Sequence, residues 1–300
     1  MNVSLLCLLA IFAGVVSSAS TGGSNLDLLQ LASRLGANKL VSLIQQAGLN
    51  ETIAHGGPFT IFAPTDDAFN KLPADVLNAV SQNVTLLQNV LKYHVVNGDI
   101  LSSDLINDFT LPTLLPYRKI RINMYKNNTI VTATGSRITA VDKMANNGVI
   151  HVIDTVMYQI PDQSVLTYAA SQPDLGQLVY NAIRANLQTT LEGGPFTIFA
   201  PVDPAWYALP PDFLNEIFLN LNRSQELLGY HVVKGTYYSI GLEDGQHVPT
   251  VEGEGITVGF NGSQVMINNA VVTKPNIRVT NGVVHVIDKV LVPSMLKNIT

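Results

Sequence analysis

The sequence predicts an α+β fold that occurs twice, as two tandem domains in which a wedge or sandwich of mostly antiparallel strands is flanked by helices. Three observations carry this prediction: short blocks recur in the same order, each copy begins with helical periodicity, and each copy ends with strand-like alternation. The recurring blocks are GPFTIFAP at 57–64 and 194–201, YHVV at 93–96 and 230–233, and HVID at 151–154 and 285–288. Their offsets of 137, 137 and 134 residues give the repeat the size of a domain rather than of a solenoid unit.

The boundaries of the two domains follow from these offsets. We expect the first domain, called the first copy, at 24–160, and the second domain, called the second copy, at 161–297. The segment 160–163, Ile-Pro-Asp-Gln, interrupts the periodic pattern with proline and polar residues, as the linkers between domains do.

Each copy begins with an amphipathic helix. Leu40, Leu43, Ile44 and Ala47 follow the i, i+3, i+4, i+7 spacing that places side chains on one helix face. The second copy repeats this spacing over 175–182. The early part of each copy is therefore predicted to be helical.

A short apolar run before a proline then predicts a buried strand in each copy. The runs are FTIF at 59–62 and 196–199. Thr65, Asp66 and Asp203 follow them and are predicted to cap the next helix, because their side-chain oxygens can accept hydrogen bonds from its free amides.

The later part of each copy is predicted to be sheet. Ile120, Ile122 and Met124 alternate with polar residues, as in a half-buried strand. Asn147-Gly148 and Asn281-Gly282 are predicted to supply the positive φ of tight hairpin turns, because asparagine and glycine tolerate that conformation. The apolar runs that follow them are predicted to be the last strands of each copy.

Composition and charge narrow the function classes. The 300 residues are 47% hydrophobic with a formal net charge of −5, which supports packed cores and argues against a nucleic-acid partner. Residues 1–19 have the apolar core and small-residue end of a secretory signal peptide, and the one cysteine, Cys7, lies inside them. We therefore expect a secreted protein of the extracellular space or matrix, with no membrane span.

Six N-x-S/T sequons in the mature region predict an N-glycosylated surface. The candidate residues are Asn50, Asn83, Asn127, Asn222, Asn261 and Asn298.

The repeated blocks resemble the fasciclin domain. TIFAPTDDAF at 60–69 and NNGVIHVIDTVM at 146–157 resemble its two signature boxes, and YHVV at 93–96 resembles the tyrosine–histidine motif between them. The resemblance covers nearly the whole mature chain, twice. It implies a β-wedge flanked by helices, and roles in cell adhesion and matrix binding, often through integrins.

The resemblance also implies candidate adhesion residues. Tyr93-His94 and Tyr230-His231 stand at the tyrosine–histidine motif. An acidic-isoleucine motif is expected just before the last box, where the first copy has Asp142 followed by lysine and the second has asparagine followed by Ile277. Each copy thus keeps one half of that motif. The alternative interpretation of Tyr93-His94 is that the pair locks a helix-to-strand junction.

A secreted hydrolase is the least favoured function. The pairs His151/Asp154 and His285/Asp288 recur, but residues three apart on a strand point to opposite faces. No nucleophile elbow or zinc motif accompanies them. We expect hydrogen-bonded structural histidines, no catalytic residue, no cofactor and no metal.

The two copies differ in charge. Residues 25–160 hold 10 basic and 10 acidic residues, whereas 161–300 hold 7 and 12, a net of −5. The contrast is concentrated in one segment, which is basic in the first copy and acidic in the second. It suggests either a sulfated-glycan site on the first copy or head-to-tail association between molecules. The alternative is two unrelated solvated strand faces. The residues concerned are Arg118, Lys119, Arg121 and Lys126 in the first copy, and Glu252 and Glu254 in the second.

Overall fold

The structure, a computed structural model, describes residues 25–297, so the predicted leader and the sequon at Asn298 lie outside the described residues. The first copy has six α-helices and seven strands within this range. Its helices are α1 (Leu28–Arg34), α2 (Asn38–Gln46), α3 (Asn50–His55), α4 (Asp66–Asn70), α5 (Ala74–Gln82) and α6 (Val84–Tyr93). Its strands are β1 (Phe59–Pro64), β2 (Val95–Asn97), β3 (Thr110–Pro112), β4 (Lys119–Tyr125), β5 (Ile130–Ala133), β6 (Ser136–Ala145) and β7 (Gly148–Ile153).

The second copy repeats the same order of elements. Its helices are α7 (Val165–Ser171), α8 (Gly176–Arg184), α9 (Gln188–Leu191), α10 (Asp203–Tyr207), α11 (Pro211–Leu219) and α12 (Leu221–Gly229). Its strands are β8 (Phe196–Pro201), β9 (Val232–Lys234), β10 (His247–Pro249), β11 (Gly255–Asn261), β12 (Gln264–Ile267), β13 (Ala270–Val279) and β14 (Gly282–Ile287). The predicted α+β class and the tandem arrangement are confirmed, and the exact domain bounds stay a prediction.

Each copy contains one mixed sheet of seven strands. The order in the first copy is β2-β1-β7-β6-β5-β4-β3, and the second copy has the matching order β9-β8-β14-β13-β12-β11-β10. All pairings in each sheet are antiparallel except one, between the second and third strands from one edge: β1 with β7 in the first copy and β8 with β14 in the second. The early apolar run of each copy is thus the parallel partner of its last strand. Burial on both faces explains why β1 is a continuous apolar run.

The sheet of each copy curls until its two edges meet. An isolated bridge joins Val96 of β2 to Thr113, the residue after β3, and Val233 of β9 joins Thr250 in the same way in the second copy. The curl encloses one core, which contains Phe62 and Ile120, and a second core lies between the outside of the sheet and the helices. This is the predicted wedge, and it leaves few free sheet edges for unwanted pairing.

The predicted hairpin chemistry at Asn147-Gly148 is wrong in its details. Ala145 pairs with Gly148, so the turn is made by Asn146 and Asn147, and Gly148 is the first residue of β7. An added Cβ at Gly148 would lie 2.0 Å from Phe59 O, so glycine is required because β1 approaches so closely. The equivalent Gly282 would bring a Cβ within 1.8 Å of its neighbour in β8.

The predicted caps are partly confirmed. Thr65 is the N-cap of α4, and its side chain accepts from the amide of Ala68. Asp66 instead accepts from the amide of Lys39 at 2.7 Å and so holds the start of α2. Asp203 likewise accepts from the amide of Gln177 at 2.8 Å, at the start of α8. Each aspartate therefore ties the first turn of one helix to that of another. Among residues 25–297, no helix is both long and apolar enough to cross a membrane.

Candidate functional site

The Tyr93-His94 pair lies at the end of a helix and not on a strand. Tyr93 is the last residue of α6, and His94 is its C-cap. Both side chains are buried, at 0% and 1% exposure. His94 Nδ1–H donates to Val90 O at 2.7 Å, and its Nε2 accepts from the amide of Met157 at 3.0 Å. The imidazole thus joins the end of α6 to the segment after β7.

The second copy repeats this arrangement. His231 Nδ1–H donates to Leu227 O at 2.8 Å, and its Nε2 accepts from the amide of Leu291 at 2.9 Å. Tyr230 and His231 are 2% and 1% exposed. The side chains of both pairs are therefore not exposed on the surface of the folded protein, and their contacts hold the interior together.

The other two repeated histidines each hold the loop that precedes the third strand. His151 Nε2–H donates to Ile100 O at 2.8 Å, and its Nδ1 accepts a long hydrogen bond from the amide of Asp142 at 3.4 Å. His285 Nε2–H donates to Tyr237 O at 2.8 Å. Both imidazoles also pack on a phenylalanine ring, with ring centroids about 5.5 Å apart.

Burial keeps these imidazoles neutral. Desolvation lowers the pKa of His94, His231 and His285 from 6.5 to about 4, although the carbonyl that accepts from each ring opposes the shift. Desolvation lowers the pKa of His151 as well. A neutral ring is what the hydrogen bonds of His94 and His231 require, since one nitrogen donates and the other accepts.

The hydrolase interpretation gains no geometric support. His151 bonds to the loop at Ile100, whereas Asp154 Oδ1 accepts from the amide of Arg137 at 3.1 Å and from the hydroxyl of Thr155. The two members of the pair therefore serve different partners. Within residues 25–297, no three His, Cys, Asp or Glu side chains converge as metal ligands.

Asp142 lies on a bulge of β6. The register of β6 against β7 shifts around Val141 and Asp142, and Asp142 has a φ of +56°. Its carboxylate accepts from both the amide and the hydroxyl of Ser102. Asn276 in β13 has a φ of +63°; its Oδ1 accepts from the amide of Ser239, and its Nδ2–H donates to the Ser239 hydroxyl, each at 2.8 Å. Asp142 and Asn276 occupy equivalent positions in the two copies. Each holds the loop before the third strand of its copy, the same loop that His151 or His285 holds.

Lys143 and Ile277, which follow these bulges, differ in environment. Lys143 is exposed, whereas Ile277 is half-buried and packs against the helix-side core of the second copy. Val141 and Met144 of the first copy are exposed at 37% and 44%. We call the surface at 141–144 the bulge face of the first copy.

The basic strand is partly engaged with the second copy. The guanidinium group of Arg121, a side chain only 13% exposed, donates to Asp108 O at 2.9 Å and to Thr280 O at 3.2 Å. Lys126 Nζ lies 3.4 Å from Glu243 Oε1. Part of the predicted attraction between a basic first copy and an acidic second copy therefore operates within one chain.

The other charges of that contrast have separate surroundings. Arg118 is half-buried, and Lys119 is exposed beside the joint between the copies. Glu254 accepts from both the amide and the hydroxyl of Ser294 at 2.8 Å, and Glu252 accepts from the amide of Glu254 at 2.9 Å. The acidic residues therefore hold the C-terminal segment of the second copy.

Two tyrosines form the joint between the copies. The Tyr125 hydroxyl donates to Thr236 O at 2.8 Å and accepts from the amide of Tyr238 at 3.1 Å. An added Cβ at Gly241 would lie 2.5 Å from the Tyr125 ring, and one at Gly135 would lie 2.7 Å from the Tyr238 ring. Each ring therefore packs on a glycine of the opposite copy, which allows the two sheets to approach closely.

The joint contacts the bulge of the second copy. Arg278 Nη2–H donates to Ser136 Oγ of the first copy at 3.2 Å. Asn276 and Arg278 line a groove that also contains Gly135 of the first copy. Their counterparts Asp142 and Met144 lie in the bulge face, which makes no hydrogen bond or ion pair with the second copy among the described residues. The bulge of the second copy thus borders the joint, and the bulge face of the first copy does not.

The described sequon residues lie at the surface. Asn83, Asn127, Asn222 and Asn261 are exposed, and Asn50 is half-buried. Asn83 is also the N-cap of α6, where its Oδ1 accepts from the amide of Leu86. This leaves its Nδ2, the atom that carries a glycan, free of the cap.

The turn asparagines have a structural role that was not predicted from the sequence. Asn147 Nδ2–H donates to Ile53 O, Ala54 O and Gly56 O, at 2.8 to 3.1 Å, and its Oδ1 accepts from the amide of Leu28. Asn281 binds α9 and the amide of the first residue of α7 in the same way. The available signal was the exact recurrence of asparagine before glycine in both copies.

Comparison with known proteins identifies similar sequences. The fasciclin domain family profile matches residues 35–159 and 173–293. Periostin of Homo sapiens is 34% identical over 254 residues, covering 84% of this chain and 30% of periostin. Transforming growth factor-beta-induced protein ig-h3 of Sus scrofa is 33% identical over 247 residues, covering 81% of this chain and 36% of that protein. The chain thus spans about a third of the length of these curated relatives.

Two further comparisons are more distant. Stabilin-2 of Rattus norvegicus is 28% identical over 207 residues, covering 64% of this chain and 14% of stabilin-2. Among solved structures, the FAS1 domain pair of the insect cell adhesion molecule Fasciclin I covers 88% of this chain and 99% of its own, at 21% identity and a TM-score of 0.43.

Proposed function

The chain belongs to the fasciclin domain family, and from this membership we propose that it is a secreted adhesion glycoprotein that binds cell-surface receptors or matrix components without catalysis. The predicted leader and the surface positions of the described sequons support this proposal. The repeated histidines support it too, because they are buried and bonded to the backbone rather than collected in a cleft. Integrins are the receptor class that the family resemblance suggests.

The observation that carries the proposal furthest is the difference between the two bulges. The bulge face of the first copy exposes Val141, Lys143 and Met144. Its backbone is fixed from below by Asp142, which holds Ser102. Exposed apolar groups on a rigid support are what a protein partner can bury without a large loss of conformational entropy.

We therefore propose that the first copy makes the receptor contact in the intact chain. The equivalent surface of the second copy borders the first copy, where Arg278 bonds Ser136. A receptor that recognised this surface in the second copy would have to fit beside the first copy. The buried residues Tyr93, His94, Tyr230 and His231 then act by maintaining the fold, and Ile277 acts as a packing residue.

The test is adhesion of cells to the immobilised full chain carrying V141D and M144D together. We expect adhesion to fall at least about tenfold, because two charges would have to be desolvated in the contact. The matched control is I183D in the second copy, a side chain 47% exposed on α8, for which we expect full adhesion. Both proteins are first compared by thermal unfolding. Full adhesion of the folded double variant would overturn the assignment to the bulge face.

The receptor class is tested in the same assay. If integrins are the receptors, integrin-blocking reagents and removal of divalent cations each abolish adhesion. Adhesion that resists both treatments excludes integrins and leaves other receptors or matrix components. Secretion is tested by expression of the full chain in animal cells, where we expect the protein in the medium with a mass that falls on enzymatic removal of N-glycans.

A second candidate function is the binding of a sulfated polysaccharide. It is favoured by the position of Lys119, an exposed cation at a cleft between the copies, with Arg118 next to it in sequence. Arg121 and Lys126 are less suited to this role than the sequence suggested, because both also contact the second copy.

A further inference from the structure

A cleft of about 240 Å³ lies where the two copies meet. Its walls include Tyr117, Lys119 and Arg121 of the first copy and Tyr238 and Thr280 of the second. We propose that this cleft binds an acidic sugar unit of a sulfated polysaccharide, with the sulfate or carboxylate group beside Lys119. This proposal deepens the second candidate function and rests on it, and it makes the site a property of the joint rather than of either copy alone.

The charge around the cleft is positive. Lys119 and Arg121 belong to its wall, and the guanidinium groups of Arg278 and Arg121 act on the Tyr238 hydroxyl. Burial raises the pKa of Tyr238, and these two cations oppose that rise. Arg121 is paired with Asp108, a residue outside this wall whose Oδ1 lies 3.9 Å from Arg121 Nη1. An anion that entered the cleft would therefore meet more positive than negative charge.

Hydrogen-bond donors lie on both sides of Tyr238. Tyr238 lines the cleft, where its hydroxyl bonds no other described residue and is open to a ligand in the cleft. The Nη1 group of Arg278 is buried without a partner, in the separate groove on the other side of Tyr238. Buried polar groups are nearly always paired in folded proteins. An oxygen-rich ligand in the cleft would accept a hydrogen bond from the Tyr238 hydroxyl.

The wall of the cleft also offers a surface for a sugar ring. Tyr117 is 96% exposed and has a φ of +63°, which is uncommon for a bulky residue. Backbone strain of this kind is concentrated at functional sites. An exposed aromatic ring beside a cation suits a ligand with both an apolar ring face and an acidic group. The volume is below the roughly 300–1,000 Å³ of drug-sized pockets, so it matches one sugar unit of a chain that continues outside.

The experiment measures binding of the full chain to three probes. They are a heparin-type sulfated polysaccharide, an unsulfated polymer of uronic acid sugars, and inorganic sulfate. We expect the sulfated polymer to bind most tightly and its affinity to fall as salt is raised, because screening weakens exposed charge contacts. Inorganic sulfate that binds as tightly as the polymer would overturn the polysaccharide assignment and leave a simple anion site.

Variants then locate the site. R118Q combined with K119Q is expected to weaken binding of the sulfated polymer at least about tenfold. The matched control, K234Q combined with K297Q, removes the same charge from exposed positions of the second copy and is expected to change the affinity less than about twofold. Y238F keeps the ring against Gly135 and removes the unpaired hydroxyl, and we expect a several-fold loss. Equal losses in both double variants would mean nonspecific attraction and would overturn the cleft.

The adhesion assay separates this proposal from the proposed receptor face. If R118Q/K119Q loses polysaccharide binding while the bulge-face variant V141D/M144D keeps it, the cleft is supported independently of adhesion. If the full chain adheres to cells but binds no acidic polymer, the cleft assignment fails and the receptor assignment stands.

Discussion

Acidification tests the role of the buried histidines. The unfolded chain takes up a proton at each imidazole as the pH falls through 6.5, whereas His94, His231 and His285 stay neutral in the fold until about pH 4. Unfolding therefore takes up protons between these two values. The stability that these rings contribute is fully present above pH 6.5 and is lost as the pH falls toward 4.

The magnitude follows from the size of the shift. When the pH is lowered from 7 to 5, each of these fully buried imidazoles is expected to reduce the free energy of unfolding by about 2 kcal/mol, and the three together by about 5 kcal/mol. A loss of this size is comparable to the total stability of many domains, roughly 5–15 kcal/mol. The second copy, which contains His231 and His285, is expected to lose more than the first.

The assay is urea unfolding at a series of pH values, followed by the fluorescence of the chain's one tryptophan. Trp206 reports on the second copy, because it is 1% exposed in that core and its ring lies 6.2 Å from the His231 ring. H231Q keeps a donor and an acceptor, and it is expected to reduce the loss between pH 7 and pH 5 by about 2 kcal/mol.

H55Q removes a histidine whose side chain is 75% exposed and controls for general effects of histidine loss. Its pH dependence should match that of the unmodified chain. A free energy of unfolding that stays constant from pH 7 to pH 5, or an H231Q variant with an unchanged pH dependence, would refute the reasoning.

Three further predictions follow from single side chains. N147A removes an amide that bonds three carbonyls and a helix amide, and we expect it to lower the free energy of unfolding in urea by about 2–4 kcal/mol. N146A, at the exposed neighbouring position, should lower it by less than about 0.5 kcal/mol. Equal losses would show that the Asn147 side chain has no such role. G282A places a Cβ 1.8 Å from a carbonyl oxygen and is expected to cost at least about 3 kcal/mol, whereas G259A, whose nearest contact is 3.8 Å, should be far milder in the same measurement. Y125F removes both hydrogen bonds that the Tyr125 hydroxyl makes across the joint. Hydrogen exchange at the amide of Tyr238, which donates to that hydroxyl, should therefore become several-fold faster. Unchanged exchange would contradict the joint.

Much of the fold could be predicted because the same sequence pattern occurs in both copies. The helical spacing at 40–47 and the apolar run at 59–62 recur at a fixed offset, so each copy supports the assignment made in the other. The parallel pairing of β1 with β7 could not be predicted in this way. The two strands are far apart in sequence, and periodicity identifies strands without identifying their neighbours.

The candidate site was harder to predict for a physical reason. Tyr93-His94 was predicted either to be an adhesion motif or to lock a helix-to-strand junction, and the sequence did not decide between these two roles. In the structure the pair ends α6 just before β2, and both side chains point inward, to a core and to the segment at Met157. Asn147 was interpreted as a backbone turn former, although its side chain does the structural work. Local sequence patterns do not contain such long-range contacts.

The joint was hidden because the two copies contribute different residues to it. Tyr125 of β4 corresponds to Asn261 of β11, and Tyr238 corresponds to Leu101. A comparison of the copies emphasises what they share, so residues that only one copy has receive no support from it. The interface between duplicated domains lies largely in such residues.

This asymmetry has a consequence for exchange between the two halves of the polypeptide. Tyr125 and Gly135 have no equivalents in the second copy, since Asn261 and Asn269 stand at those positions. A chain made of two first copies, or of two second copies, would keep the individual folds and lack one side of the joint. Neither half can therefore substitute for the other.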